Sequence, residues 1–181
     1  MGPPLPPVQC GFQLSTGLAR APVQIELFHD LVCPFSCKMF KTVFHEVIPK
    51  CSGHVQFVLQ PVPQPWHPQG TYVHEAALAV KQVAPAAYPA YVDAVFTAYS
   101  GGSFKDDTTW DKSRAQIYDE LLALLSSGPP ELATVDAAAV KELLTLKAGV
   151  GNVGTEMTQH IKWAVKYHRC RGVHVTPCVI A

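Results

Sequence analysis

Between Val23 and Ile48 the chain reads VQIELFHDLVCPFSCKMFKTVFHEVI, and this stretch narrows the fold more than any other. Val23–Phe28 is apolar enough for a strand buried on both faces. A short turn then carries Cys33, and a helix runs from Pro34 to about Pro49. Pro34 suits the first helical position, because its fixed φ is helical and its missing N–H costs nothing there. Phe40, Val43, Phe44, Val47 and Ile48 fall on one face at helical spacing, so the helix is expected to dock on a sheet. A cysteine where a strand hands over to a helix lies among backbone N–H groups that lack partners, at the positive end of the helix dipole. Both effects favour the thiolate, the reactive form. Cys33 is therefore a candidate nucleophile, with a buried structural thiol at a helix start as the competing reading.

Near the C-terminus, Gly172-Val-His-Val-Thr-Pro-Cys-Val-Ile180 reads as a strand with a proline close to its start. Proline in a strand sits at an edge or a first position, or marks a cis bond at a functional spot. A strand–Cys-Pro–helix unit early and a Gly-Val-x-x-Thr-Pro-x-Val strand late resemble the thioredoxin superfamily, from about Pro22 onward. The helical interval between them resembles the DsbA-like branch, which carries a helical domain inserted into that fold. The resemblance implies an α/β class, a thioredoxin-like sheet with an inserted α-helical domain, truncated after the cis-Pro strand. It implies three regions: an extended Pro-rich arm (1–21), a thioredoxin-like core (22–66 and 151–181) and the inserted domain (67–150).

The same resemblance implies chemistry. In that family the loop before the cis-proline packs against the reactive cysteine and offers backbone hydrogen bonds to a bound thiol substrate. It makes Cys33 the expected nucleophile of a thiol-disulfide oxidoreductase, with Pro34, Phe35, Thr176 and Pro177 against the substrate. The motif Cys33-Pro-Phe-Ser-Cys37 departs from the dithiol pattern, whose resolving cysteine stands at the fourth position, here Ser36. Either Cys33 works alone and an external thiol such as glutathione resolves its mixed disulfide, as in monothiol glutaredoxins, or Cys37 is the second thiol. One helical turn puts the two Cα atoms about 6 Å apart, inside the disulfide range. The competing reading of Cys37 is a small core residue. Cys178, next to Pro177, is either a neighbouring thiol or sheet core.

Between the two core segments, His54–Val62 reads as a second strand, parallel to the first through a right-handed crossover and ended by Pro61, Pro63 and Pro65. From Thr71 the pattern is helical: 72–84, then 86–99 after Pro85, then a helix through Leu125 for which Thr108-Thr-Trp-Asp111 is a plausible capping box. Asp136 and Thr155 are the expected caps of the last two helices. The segment Gln64–His74 is the candidate substrate-facing loop, with Trp66 and Tyr72 as an apolar platform; a packed linker is the alternative.

Six cysteines (10, 33, 37, 51, 170, 178) are too scattered for a disulfide-stapled domain, and the first residues lack a charged segment followed by an apolar core. Reduced thiols in a cytoplasmic protein are expected. The formal net charge is zero, which argues against nucleic acid or an anionic membrane surface as a partner. No apolar run approaches the roughly 18 residues of a membrane span. Cys33-x3-Cys37 with His29 offers soft ligands, but no pattern matches a known zinc spacing, so neither a metal nor a cofactor is expected. His29 and Asp30 either tune Cys33 or are ordinary strand-end polar residues.

The chain stops inside the last strand, leaving an expected three-strand sheet with an open edge. A fragment, a partner that completes the sheet, or a homodimer would account for it. The expected partners are a thiol or disulfide protein, or glutathione as co-substrate. The alternatives to the oxidoreductase are a glutathione-dependent kappa-type transferase or isomerase, whose members usually carry serine at the position of Cys33, and a non-catalytic thioredoxin-like binding module.

Overall fold

The structure, a computed structural model, describes residues 10–14, 21–51, 53–149, 151 and 153–181. Contacts divide the chain into two compact units, residues 1–64 with 162–181, and residues 65–161. The divisions read from the sequence, at 66/67 and 150/151, differ most at the second. It falls inside a helix, whose periodicity gives no sign of a change of packing partners along its length.

The first unit is built on a four-stranded sheet in the order β1-β3-β2-β4, with β1 (Phe12–Gln13), β2 (Val23–His29), β3 (Val55–Pro61) and β4 (Cys178–Ile180). β2 and β3 are parallel, with Leu27 opposite Leu59 and His29 opposite Pro61, while β4 runs antiparallel to β2 with Phe28 opposite Cys178. The expected three-strand remnant is corrected by β1, which pairs antiparallel with β3 from within the supposed arm. Two residues carry no periodicity, so only their pairing reveals them. The arm's residues 1–9 and 15–20 lie outside the described residues. β2 changes along its length from an exposed start at Val23 to four fully buried residues at its end, His29 among them. On one side of the sheet Phe28, Val62 and Val173 form a buried cluster, against which Tyr167, Cys178 and Ile180 pack.

Helix α1 (Pro34–Thr42) is shorter than expected, continuing as a π-helical turn over Val43–Val47 and a 3₁₀ turn over Ile48–Lys50. Pro49 has no N–H to bond the carbonyl four residues back and its ring crowds that carbonyl, so an α ladder cannot run through it. Of the five apolar residues expected on the docking face, Phe40 is fully buried and the other four are half-buried.

Glu26, His29 and Gln60 are buried polar residues of this sheet. Glu26 on β2 accepts hydrogen bonds from Gln60 Nε2 of β3 (2.9 Å) and from the Tyr167 hydroxyl, and pairs with Arg171 (2.8 Å). Burial and the carboxylate beside it push the Tyr167 hydroxyl up to about 12. A buried carboxylate persists when its lone pairs are satisfied in this way.

The second unit is helical: α2 (Gly70–Val83), α3 (Tyr88–Ser100), α4 (Asp106–Thr109), α5 (Arg114–Ser127), α6 (Ala137–Leu143) and the first turn of α7 (Thr158–Cys170). α2 is buried over most of its surface, because its alanines let neighbouring helices approach from several sides. On α3 Tyr88, Tyr91, Val92, Val95 and Phe96 are the buried face, as their spacing requires. Buried Glu75 of α2 takes hydrogen bonds from Tyr118, Thr155 (3.1 Å) and Thr158 (3.0 Å). The capping box expected at Thr108–Asp111 lies instead at Ser113–Gln116, where the Ser113 hydroxyl accepts the Gln116 N–H. Thr108 belongs to α4, its hydroxyl bonded within the Gly102–Lys105 turn. Asp136 caps α6 through the N–H groups of Ala138 and Ala139. Thr155 accepts the Met157 N–H (3.2 Å) just ahead of α7.

Candidate active site

Cys33 is the N-cap of α1, in an extended conformation with Pro34 directly behind it, and its carbonyl accepts the first helical bond from the Cys37 N–H (3.0 Å). The residue is 5% exposed, and its Sγ lies 3.6 Å from the Thr176 carbonyl, 143 residues along the chain. The Thr176–Pro177 peptide bond is cis. The first unit thus brings together the end of β2, the start of α1 and the approach to β4. That arrangement sets the Cys33 sulfur beside the backbone segment that leads into β4.

Phe35, one residue into the helix, is 69% exposed although aromatic, and Val175 is 56% exposed. Pro34 is exposed, and Thr176 and Pro177 are half-buried. Cys37 faces inward at 6% exposure. Cys178 packs against the Phe28 cluster, with its Sγ 3.1 Å from the Val175 carbonyl, as sheet core would. None of the six cysteines is joined in a disulfide in this structure. Trp66 belongs to the helical unit, where it is 55% exposed and edge-on to His67. Among the described residues no group of three or more His, Cys, Asp or Glu side chains could hold a metal ion.

The turn into the site is anchored by a residue whose role the sequence leaves open. Asp30, fully buried, accepts the Cys33 N–H on its backbone carbonyl (3.1 Å) and donates its own N–H to the Ser36 hydroxyl (3.2 Å). Its carboxylate accepts the Val32 N–H on one oxygen (3.2 Å) and the Gln64 N–H on the other (3.0 Å). Ser36, at the position of a resolving cysteine, is fully buried. The signal for the Gln64 contact lies in the prolines. Pro61, Pro63 and Pro65 have no N–H, so the exit of β3 can donate only from Val62 and Gln64. Val62 donates to the His29 carbonyl (2.8 Å) and Gln64 to Asp30.

The family model described as thioredoxin matches residues 11–181, and the chain belongs to that family. Its fold is that of the DsbA-like branch, a sheet with helices inserted. A candidate protein-disulfide isomerase from Pseudomonas syringae superposes with a TM-score of 0.65 at 21% identity, covering 87% of this chain and 80% of the other. Oxidised BdbD from Bacillus subtilis gives 0.64 at 20%, covering 94% and 85%. Chlamydia trachomatis DsbA gives 0.62 at 16%, covering 98% and 86%. No curated protein matches the chain in sequence.

Proposed function

We propose that the protein is a DsbA-like thiol-disulfide oxidoreductase with Cys33 as its nucleophile. The observation that carries this reading is the Cys33 sulfur, at the first turn of α1 and 3.6 Å from the carbonyl before Pro177. The Cys33 thiolate attacks one sulfur of a substrate disulfide. A new S–S bond forms, the substrate S–S bond breaks, and the leaving sulfur departs as a thiolate that takes up a proton. Thr176 and Pro177 with Pro34 and Phe35 line the substrate's path.

The second half-reaction needs another thiol. Ser36 cannot supply one, so glutathione is the co-substrate in this reading. Its thiolate attacks the substrate sulfur of the mixed disulfide, breaking the S–S bond to Cys33, which leaves as a thiolate. A second glutathione thiolate then attacks the glutathione sulfur of the resulting adduct, forming glutathione disulfide and releasing the second substrate sulfur as a thiolate that takes up a proton. Cys37 is the internal alternative, favoured by its place one turn along α1, and at 6% exposure it is as buried as Cys33 at 5%. A cytoplasmic setting goes with a glutathione-driven cycle.

Incubation with oxidised glutathione, followed by peptide mass mapping, tests the reading. The expected result is a glutathione adduct on Cys33, removed by reduced glutathione and lost in Cys33→Ser. An adduct on exposed Cys170 with none on Cys33 overturns it. A disulfide between Cys33 and Cys37 shifts the resolving role to Cys37.

A further inference from the structure

We infer that Asp30 is the positioning residue of this site, an inference that rests on Cys33 being the nucleophile. Asp30 ties the Cys33 turn to the first turn of α1 and to the exit of β3. It follows the last residue of β2, its backbone closes the turn onto the Cys33 N–H, and its N–H holds Ser36 in the first turn of α1. Its carboxylate ties the turn internally at Val32 and reaches across to the exit of β3 at Gln64. A side-chain oxygen accepting from the N–H two residues on is the Asx geometry that fixes a tight turn. The bond to Gln64 adds what a local turn lacks, a fixed position relative to the sheet. All these groups are buried, so each lost bond leaves a polar group without water to replace its partner. The consequence for chemistry is directional. With the turn fixed, the Cys33 sulfur stays beside the Thr176 carbonyl, where a substrate disulfide must meet it; a misplacement of about 1 Å is enough to cost a large rate factor.

The experiment compares wild type with Asp30→Asn, which preserves size and one acceptor but turns the other oxygen into a donor facing a backbone N–H. Two quantities are read: the rate constant for exchange with a short peptide disulfide, and iodoacetamide labelling of Cys33 and Cys37 resolved by peptide. The expected result is a fall in exchange of about tenfold or more, with Cys33 labelled faster as its sulfur leaves the Thr176 carbonyl. Cys37, buried in the same helix, remains protected. A merely structural role gives a different pattern, in which both cysteines deprotect together, and that result overturns the inference; so does exchange and labelling at the wild-type rate. If wild-type Cys33 does not exchange at all, the oxidoreductase reading fails, and the labelling of Cys33 against Cys37 decides the positioning role by itself. Should Asp30→Asn not fold, Asp30→Ser, which retains an oxygen for the Val32 N–H, is measured in its place with the same criteria.

Discussion

Ser36 is where this chain differs most from a dithiol enzyme, and its surroundings show why the difference is not cosmetic. Its hydroxyl is the acceptor for the Asp30 N–H, in a fully buried site. Sulfur is a weaker acceptor and a larger atom, so Ser36→Cys is expected to cost about 1 kcal/mol of stability, read as a lower urea midpoint. The same variant places a thiol at the fourth motif position, on the first turn of a helix whose N-cap is Cys33. Mild oxidation should then join Cys33 to the introduced thiol in a disulfide, seen as a loss of two hydrogens in the joined peptide, and glutathione adducts on Cys33 should fall. If the variant forms no such bond, resolution at this site is limited by more than the missing sulfur.

At the scale of elements, Glu26 makes the sheet a sharper prediction than the helices do. It joins β2 to β3 through Gln60 and to the segment after α7 through Arg171. Glu26→Ala removes a buried carboxylate and leaves the Tyr167 hydroxyl and one of the two Gln60 Nε2 hydrogens without an acceptor. The other hydrogen stays on the Cys10 carbonyl (3.1 Å), while Arg171, 41% exposed at its side chain, regains water. A loss of about 2–3 kcal/mol follows, less than for a pair buried on both sides, and urea unfolding followed by circular dichroism measures it. A loss under about 0.5 kcal/mol would place Glu26 among surface-like positions. The elements are unequally legible in the sequence. β2, β3, α2 and α3 can be read because apolar runs and helical spacing report on long segments. β1 cannot, because Phe12 and Gln13 are defined by a partner strand far away in sequence. The capping box is easily misplaced because Thr108-x-x-Asp111 and Ser113-x-x-Gln116 both fit the local pattern, and only the backbone decides between them. At the site, Cys33 announces itself by its place between strand and helix. Asp30 does not, because its decisive contact is 34 residues away at Gln64.

For the whole molecule, the pH response of stability is set partly by α7, which contributes residues to both units. His160, near its start, is held below the usual histidine value, first by burial and then by the positive charge of Lys81. The unfolded chain binds a proton at this position near pH ~6.5, whereas the folded chain binds it only at lower pH. Between those values the unfolded state carries more protons, so stability rises with pH there and falls as pH drops from about 7.5 through about 6.5 and below. The stabilising state is the neutral imidazole, fully present above the unfolded value. His160→Gln removes the titrating group without adding charge. The variant should therefore lose less stability than wild type between about pH 7.5 and about pH 5.5, in urea titrations followed at both pH values. Because two compact units need not unfold together, tryptophan fluorescence and circular dichroism should be compared in the same titrations. Equal pH slopes for variant and wild type would mean that the proton taken up on acid unfolding goes elsewhere.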